Sequence, residues 1–311
     1  MQKYIFKRLV YLLITLLVIT TATFFLMHSL PGTPFDEDKI SNLSAEQQRQ
    51  VYASYGLDQP VYVQYFKYLG NIFQGDLGTS TLYSGQSVQD ILAARIVPSA
   101  LVGIQAVLAG LVIGLILGIV AAYRHNTSMD YLTMVISVLG ISVPNFVVAA
   151  LLQYFFGLKW GLLPVAYWES YACSILPSLA LSFGVIAQIA RFVRTEMLTV
   201  LQQDYILMAK AKGLSPVKIL LHHALRNSLL PVITILGSIT VNILTGSLAV
   251  ESIYSVPGIG SLFVDTIKAN DYSTILGLTL FYSAFYVVVI LLVDILYCVI
   301  DPRIRLAPSK E

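Results

Sequence analysis

The 311 residues are 57% hydrophobic with a mean hydropathy of +0.76, and Lys, Arg, Asp and Glu together supply only 12%. That is about half the charged share of an ordinary soluble domain, which excludes a cytosolic enzyme, a disordered chain and a nucleic-acid binder. Nineteen basic residues against seventeen acidic ones are too evenly matched to imply an anionic partner.

Six stretches of at least 20 residues lack any charged side chain: 9–35, 96–123, 131–158, 170–190, 227–250 and 272–293. A hydrocarbon core of roughly 30 Å takes about 20 apolar residues as helix, and lipid requires backbone polar groups to be satisfied within the segment. The chain is therefore expected to be an all-α integral membrane protein with six transmembrane helices. Lys3, Lys7 and Arg8 before the first run resemble a secretory leader. The apolar stretch is longer than the usual h-region and lacks a small-x-small cleavage site, so a retained helix is expected.

Between the first and second runs, residues 31–97 form an insertion with its own helical signals. Ser44 with Gln47, and Ser87 with Asp90, have capping-box spacing. Tyr62, Tyr65, Phe66, Leu69 and Phe73 recur as one apolar stripe. That stripe suits either a cap packed on the bundle or a docking surface. Seven acidic residues against four basic ones is not a membrane-binding charge for the insertion as a whole. It is expected to contact an external partner or to shield a pathway mouth.

Pro98, Pro177 and Pro231 are expected near the starts of the second, fourth and fifth helices, where a missing N–H costs nothing. Pro144 falls inside the third and should kink it. Cys173 and Cys298 are expected at opposite faces and unpaired.

The connection between the fourth and fifth runs, 191–226, carries six basic residues. The face holding it and both termini has 13 of the 19 basic residues but only 5 of the 17 acidic ones. The positive-inside rule therefore places that face in the cytoplasm. Within the loop, residues 203–228 read as helix, break, helix. Tyr205 to Ala211 is helical, Gly213 is a left-handed stop, and Ser215-Pro216 is an N-cap followed by Pro at the first helical position. Val217, Leu220, Leu221, Ala224 and Leu225 form an apolar stripe, and Lys218, His222 and Arg226 a basic one. Such an elbow either meets a cytoplasmic partner or lies on the inner leaflet. Adjacent His222 and His223 point about 100° apart on a helix and make a poor metal pair.

Chemistry is sparse. The sequence has no phosphate loop, no nucleophile elbow, no H-E-x-x-H and no relay of intramembrane carboxylates, Asp294 being the single acid placed within a helix, near the inner end of the sixth. Energy for transport would have to come from elsewhere.

Ordered motifs then identify a relative. They begin with Arg8-Leu9, Phe24-Phe25 and Leu30-Pro31-Gly32, and continue through Tyr55-Gly56-Leu57-Asp58-Gln59-Pro60, Val63-Gln64-Tyr65 and Gly75-Asp76-Leu77-Gly78. Arg191-Phe192-Val193-Arg194, Asp204-Tyr205, Ala209-Lys210-Ala211-Lys212-Gly213-Leu214-Ser215, His223-Ala224-Leu225-Arg226-Asn227 and Leu230-Pro231-Val232 follow. The C-terminal set is Pro257-Gly258-Ile259-Gly260, Asp271-Tyr272, Leu292-Val293-Asp294 and Asp301-Pro302-Arg303-Ile304-Arg305. Nearly end to end, the chain resembles the permease subunit of a binding-protein-dependent ABC importer of the dipeptide and oligopeptide group. It departs from the general E-A-A…G importer signature, because Leu207-Met208-Ala209 precedes Gly213 and the signature's acid is missing.

The resemblance implies a type I importer permease fold. Its divisions would be 1–30, the external insertion 31–97, a transmembrane domain 98–298 with a coupling loop at 191–228, and a cytoplasmic tail 299–311. It implies a bacterial plasma-membrane location, a second homologous permease, two cytoplasmic ATPase subunits that bind ATP and Mg, and an extracytoplasmic peptide-binding protein. No cofactor or metal belongs to this chain in that scheme. Asp204, Tyr205, Ala209, Lys210, Ala211, Lys212, Gly213, Leu214 and Ser215 would couple to an ATPase. Gln105, Asn145, Gln153, Gln188, Asn242 and Thr245 either line a pathway or bond helix to helix. Tyr254, Pro257, Gly258, Ile259 and Gly260 would lie at the outer mouth against the binding protein. Dipeptides, glutathione and nickel complexes are alternative cargoes of the same architecture. A secondary transporter or channel would want intramembrane acids, inverted repeats or a filter, none of which the sequence shows. A membrane scaffold is the remaining alternative.

Overall fold

The structure, a computed structural model, describes the backbone of residues 2–29, 43–54, 56–83 and 85–300, and their side chains except 2–9, 230, 294 and 296–300. The Leu30-Pro31-Gly32 and Asp301–Arg305 motifs, Tyr55, and the side chains of Arg8, Asp294 and Cys298 lie outside the described residues.

Helices account for most of the described chain, with one isolated bridge between Thr79 and Ser87. In order they are α1 (Gln2–Ser29), α2 (Ala45–Ser54), α3 (Val61–Phe73), α4 (Val88–Tyr123), α5 (Ser128–Ser142) and α6 (Asn145–Leu152), which a π-helical stretch, Gln153–Lys159, prolongs. A 3-10 turn at Tyr171–Ser174 leads into α7 (Ile175–Leu201), then α8 (Asp204–Ala211) and α9 (Pro216–Lys218). A π turn, Ile219–Ala224, opens into α10 (Leu225–Leu244), followed by α11 (Leu248–Tyr254), α12 (Ile259–Lys268) and α13 (Tyr272–Ile300). Four helical segments among the described residues are long and apolar enough to cross a membrane, and there are six candidate spans if each of two bent pairs counts as one.

The prolines depart from expectation. Pro144 does not kink a continuous helix. It caps the start of α6 after an extended Val143, and the two halves of the third span differ in direction by 101°. A residue before proline avoids the helical region, so Val143 ends α5 outright. Pro98 lies well inside α4, because that helix begins at Val88. Pro231 lies inside α10, where the fifth span bends by 53°. Pro177 is near the start of α7, as expected. The 191–226 region is less of a loop than its charge suggests, since α7 continues to Leu201.

Contacts divide the chain into two compact units, Met1–Val97 with Gly258–Val287, and Pro98–Pro257 with Val288–Glu311. Ile259, Leu262 and Leu278 pack on Val88, Ile91 and Leu92, which joins residues 258–287 to the first unit. There, buried Asp271 accepts hydrogen bonds from the Ser80 and Thr274 hydroxyls, the latter at 2.8 Å.

In the second unit α4 and α7 pack along a glycine row. A Cβ on Gly110 would stand 2.4 Å from Val185, one on Gly114 2.8 Å from Ile189, and one on Gly118 2.7 Å from the Ala190 carbonyl oxygen. Residues four apart share a helix face, so the row lets α7 approach closely, as small-xxx-small faces do in membranes. Gly140 of α5 does the same from another side, 2.8 Å from Ala187.

The insertion meets expectation in part. Ser44 and Gln47 form a reciprocal capping box, Gln47 N–H to Ser44 Oγ at 3.3 Å and Ser44 N–H to Gln47 Oε1 at 2.9 Å. Ser87 instead donates to Gln89 Oε1 at 2.6 Å. The aromatic stripe of α3 is not packed down: Tyr62, Phe66 and Phe73 are exposed, and Tyr65 alone of its rings turns onto α1.

Candidate functional site

The elbow forms as its residues dictate. The N–H of Gly213, at φ 74°, donates to the Lys210 carbonyl at 2.9 Å, and that of Leu214 to the Ala209 carbonyl at 3.3 Å. This Schellman pair satisfies the last carbonyls of α8. Ser215 then caps α9 by accepting from the Lys218 N–H at 3.4 Å, with Pro216 at the first helical position. Ile206, Ala209 and Ile219 make a small core beneath, with Leu201 and Leu214 packed against it. Asn227 donates to the Tyr205 hydroxyl at 2.8 Å, joining α8 to the root of α10.

Two details differ from the sequence reading. Ala209 is buried in the elbow's core and is not part of its outer face. The π turn at Ile219–Ala224 breaks the expected stripe, burying Ile219, Leu220 and Ala224 and leaving Val217 and Leu221 exposed. The outward face consequently mixes apolar Leu207, Met208, Val217 and Leu221 with Lys210, Lys212 and Lys218. The small core and the backbone bonds hold this face in place.

Just before the elbow, α7 is tied to α5. Arg194 grips Asp130 with Nε on Oδ1 and with Nη2 on Oδ2 at 2.8 Å. His125 Nδ1 lies 2.9 Å from Oδ2, and the Asn126 N–H donates to it at 3.0 Å. Asp130 is only 1% exposed. A buried carboxylate with a two-point guanidinium partner fixes geometry well.

Three of the six candidate pathway residues converge. Asn145 at the start of α6, Gln188 on α7 and Asn242 on α10 line a cleft of about 70 Å³ with Leu181, Gly184 and Ile239. Three carboxamides bring donors and acceptors without charge. The others do not line this cleft and bond elsewhere in the protein. Gln105 accepts from the Ser178 hydroxyl at 2.7 Å, joining α4 to α7. Gln153 Nε2 donates to the carbonyls of Val165 and Ile253 at 2.8 and 2.9 Å. Thr245 bonds back to the Val241 carbonyl within its own helix.

Residues named for the outer mouth are mostly buried. In the second unit, Tyr254 is 1% exposed and donates to the Ala149 carbonyl at 2.8 Å, its burial pushing the phenol pKa up so that it stays a donor. Pro257 is half-buried. In the first unit Gly258, Ile259 and Gly260 are buried, Ile259 within the core around Val88. Packing within the fold accounts for the burial of Tyr254, Gly258, Ile259 and Gly260.

Sequence reasoning missed the buried acids Asp130, Glu251 and Asp271. Glu251 accepts from the Ser99 hydroxyl at 2.7 Å. Each sits at a run's margin, where it reads as a solvated loop charge, and its partner is distant in sequence. The close crossing at Gly110, Gly114 and Gly118 was also missed, although their four-residue spacing in the sequence is the signal that could have found it.

Comparison with known proteins gives a consistent picture. Residues 114–306 match the family described as binding-protein-dependent transport system inner membrane component, and residues 1–85 match its N-terminal companion. The chain is 45% identical over 306 residues to the dipeptide transport system permease protein DppB of Lactococcus lactis, covering 98% of this chain and 100% of that one. It is 42% identical over 307 residues to the oligopeptide transport system permease protein OppB of Haemophilus influenzae, covering 98% and 100%. A structure of the MetNI methionine ABC transporter in inward facing conformations aligns with a TM-score of 0.49 and 16% identity, over 68% of this chain and 92% of that one.

Proposed function

We propose that this chain, which belongs to the family of inner membrane components of binding-protein-dependent transport systems, is a permease subunit of an ATP-driven peptide importer. The rigid two-helix elbow carries the reading. In this scheme its exposed face sits in a cleft of a cytoplasmic ATPase subunit, both termini are cytoplasmic, and a second homologous permease completes the pathway. An extracytoplasmic binding protein delivers the cargo. ATP hydrolysis belongs to the ATPase subunits, in keeping with the lack of a phosphate loop in this sequence.

The relatives' names favour peptide cargo, oligopeptides as the main reading and dipeptides as the alternative. The Asn145, Gln188 and Asn242 carboxamides support it, because they can exchange hydrogen bonds with any peptide backbone and impose no charge preference. Selection would then rest with the binding protein. Glutathione and nickel complexes have no specific feature of this chain in their favour.

The test is reconstitution of the chain with its partner permease, ATPase subunits and binding protein in vesicles, followed by uptake of labelled peptides of two to five residues. Gly213→Val should strain the break by about 1–2 kcal/mol. Nothing lies within 4 Å of its Cβ, so the cost is purely conformational. Uptake should fall sharply while ATP hydrolysis persists, and Gly213→Asn, which tolerates the left-handed region, should retain most uptake. Equal uptake by all three proteins, or uptake of nickel complexes without peptides, would overturn the reading.

A further inference from the structure

From the position of α3 we infer that this helix lies in the outer leaflet of the bilayer, its Tyr62, Phe66 and Phe73 stripe immersed among lipid chains. The inference rests on the membrane-spanning character of α1 and on the cytoplasmic N-terminus proposed above, and not on the cargo. Residues Val10–Ser29 of α1 form one of the candidate spans. Tyr65 of α3 meets it well inside that span: its hydroxyl is 2.7 Å from Thr21 Oγ1, and its ring is 5.3 Å from Phe24 and 5.4 Å from Phe25. Thr21 precedes Ser29 by eight residues, which at about 1.5 Å rise per residue puts the crossing about 12 Å below the end of the helix. A helix docked at that depth is below the headgroups.

Its faces are sorted accordingly. Tyr65 and Tyr68 turn onto α1. Gln64 bonds His28 at 3.0 Å, and the amine of Lys67, the helix's one charged residue, lies beside Gly56. Tyr62, Phe66 and Phe73, at 63%, 67% and 88%, stay exposed. Phe66 lies 5.4 Å from the Tyr65 ring, which touches Phe25, itself on the exposed apolar side of α1 with Leu26 and Val18. One apolar surface thus runs from the spanning helix onto α3. In water it would be costly, and in lipid it is favourable, as for in-plane amphipathic helices and interfacial aromatics. The acid excess of the insertion does not oppose this, because none of its acidic residues lies on α3.

The full chain, with Cys173→Ser and Cys298→Ser, is to carry one cysteine at Tyr62, Phe66 or Phe73, or at Asn71, a half-buried polar position outside the stripe. A nitroxide is attached and the protein reconstituted in phosphatidylcholine vesicles. Collisions with oxygen should exceed those with a water-soluble nickel chelate at Tyr62, Phe66 and Phe73, and the order should reverse at Asn71. Chelate access at all four positions would place α3 in water. Labels immobilised and shielded from both probes, either in the chain alone or on adding the binding protein, would assign the stripe to a protein partner. Either result overturns the proposal. Should a cysteine variant fail to fold, Phe66→Trp, with Trp160→Phe and Trp168→Phe, reads the same depth by quenching from doxyl lipids.

Discussion

Arg194→Ala should be the most damaging single truncation in this chain, costing about 3–5 kcal/mol, because it leaves a buried carboxylate without its counter-ion. Asp130 is almost wholly enclosed, and the guanidinium supplies two of its contacts. The His125 ring and the Asn126 N–H remain, but neither carries a permanent positive charge. Asp130→Ala with Arg194→Ala should recover a substantial part of the loss, since no charge is then stranded. Thermal denaturation of the detergent-solubilised chain gives the cycle, and a coupling of about 0.5–3 kcal/mol is expected. Strictly additive small losses would mean that the pair is solvated and does not hold α5 to α7. Transport should fall with stability, because this tie lies on α7 immediately before the elbow.

Gly118→Val should be the second. The Cβ of the new residue would fall 2.7 Å from a backbone carbonyl and 2.8 Å from the Val193 Cβ, and a backbone atom cannot rotate aside. Overpacking of this kind costs about 1–3 kcal/mol, occasionally more, and here it would also force α4 and α7 apart. Gly70→Ala on α3 is the matched control. It lies in a helix with nothing within 4 Å of its Cβ, so alanine should be neutral or add up to about 1 kcal/mol of stability. Comparison of melting temperatures and of the yield of folded protein checks both. A Gly118 variant as stable as Gly70→Ala would contradict the close crossing.

Membrane class and elbow were legible for the same reason: both depend on local sequence. Charge-free runs mark spans because lipid penalises every charge, and Gly213 with Ser215-Pro216 marks the break because backbone conformation is decided within a few residues. The π turn at Ile219–Ala224 was not legible, since one extra residue in a turn shifts the phase of a stripe without altering composition. Pro144 was read as a kink, yet extended Val143 makes it a full break. Burial of Asp130, Glu251 and Asp271 depends on Arg194, Ser99 and Ser80, which only the fold brings near. Two of the pathway candidates bond other segments for a related reason: a glutamine in a membrane helix bonds whatever hydroxyl or carbonyl is in reach, Gln105 accepting from Ser178 and Gln153 donating to Val165 and Ile253.

The central claim is that the elbow's exposed face receives motion from a cytoplasmic ATPase. Its most direct test is a single cysteine at Lys210, exposed at the end of α8, set against one at Lys268, exposed at the end of α12, in a Cys173→Ser, Cys298→Ser background. In the assembled complex in sealed vesicles, an impermeant thiol reagent should reach the two positions from opposite sides. The Lys210 cysteine alone should crosslink to an ATPase subunit, with a yield that changes when nucleotide is bound. Labelling of both positions from one side, or a Lys210 cysteine that crosslinks only to lipid-embedded partners whatever the nucleotide, would contradict the account.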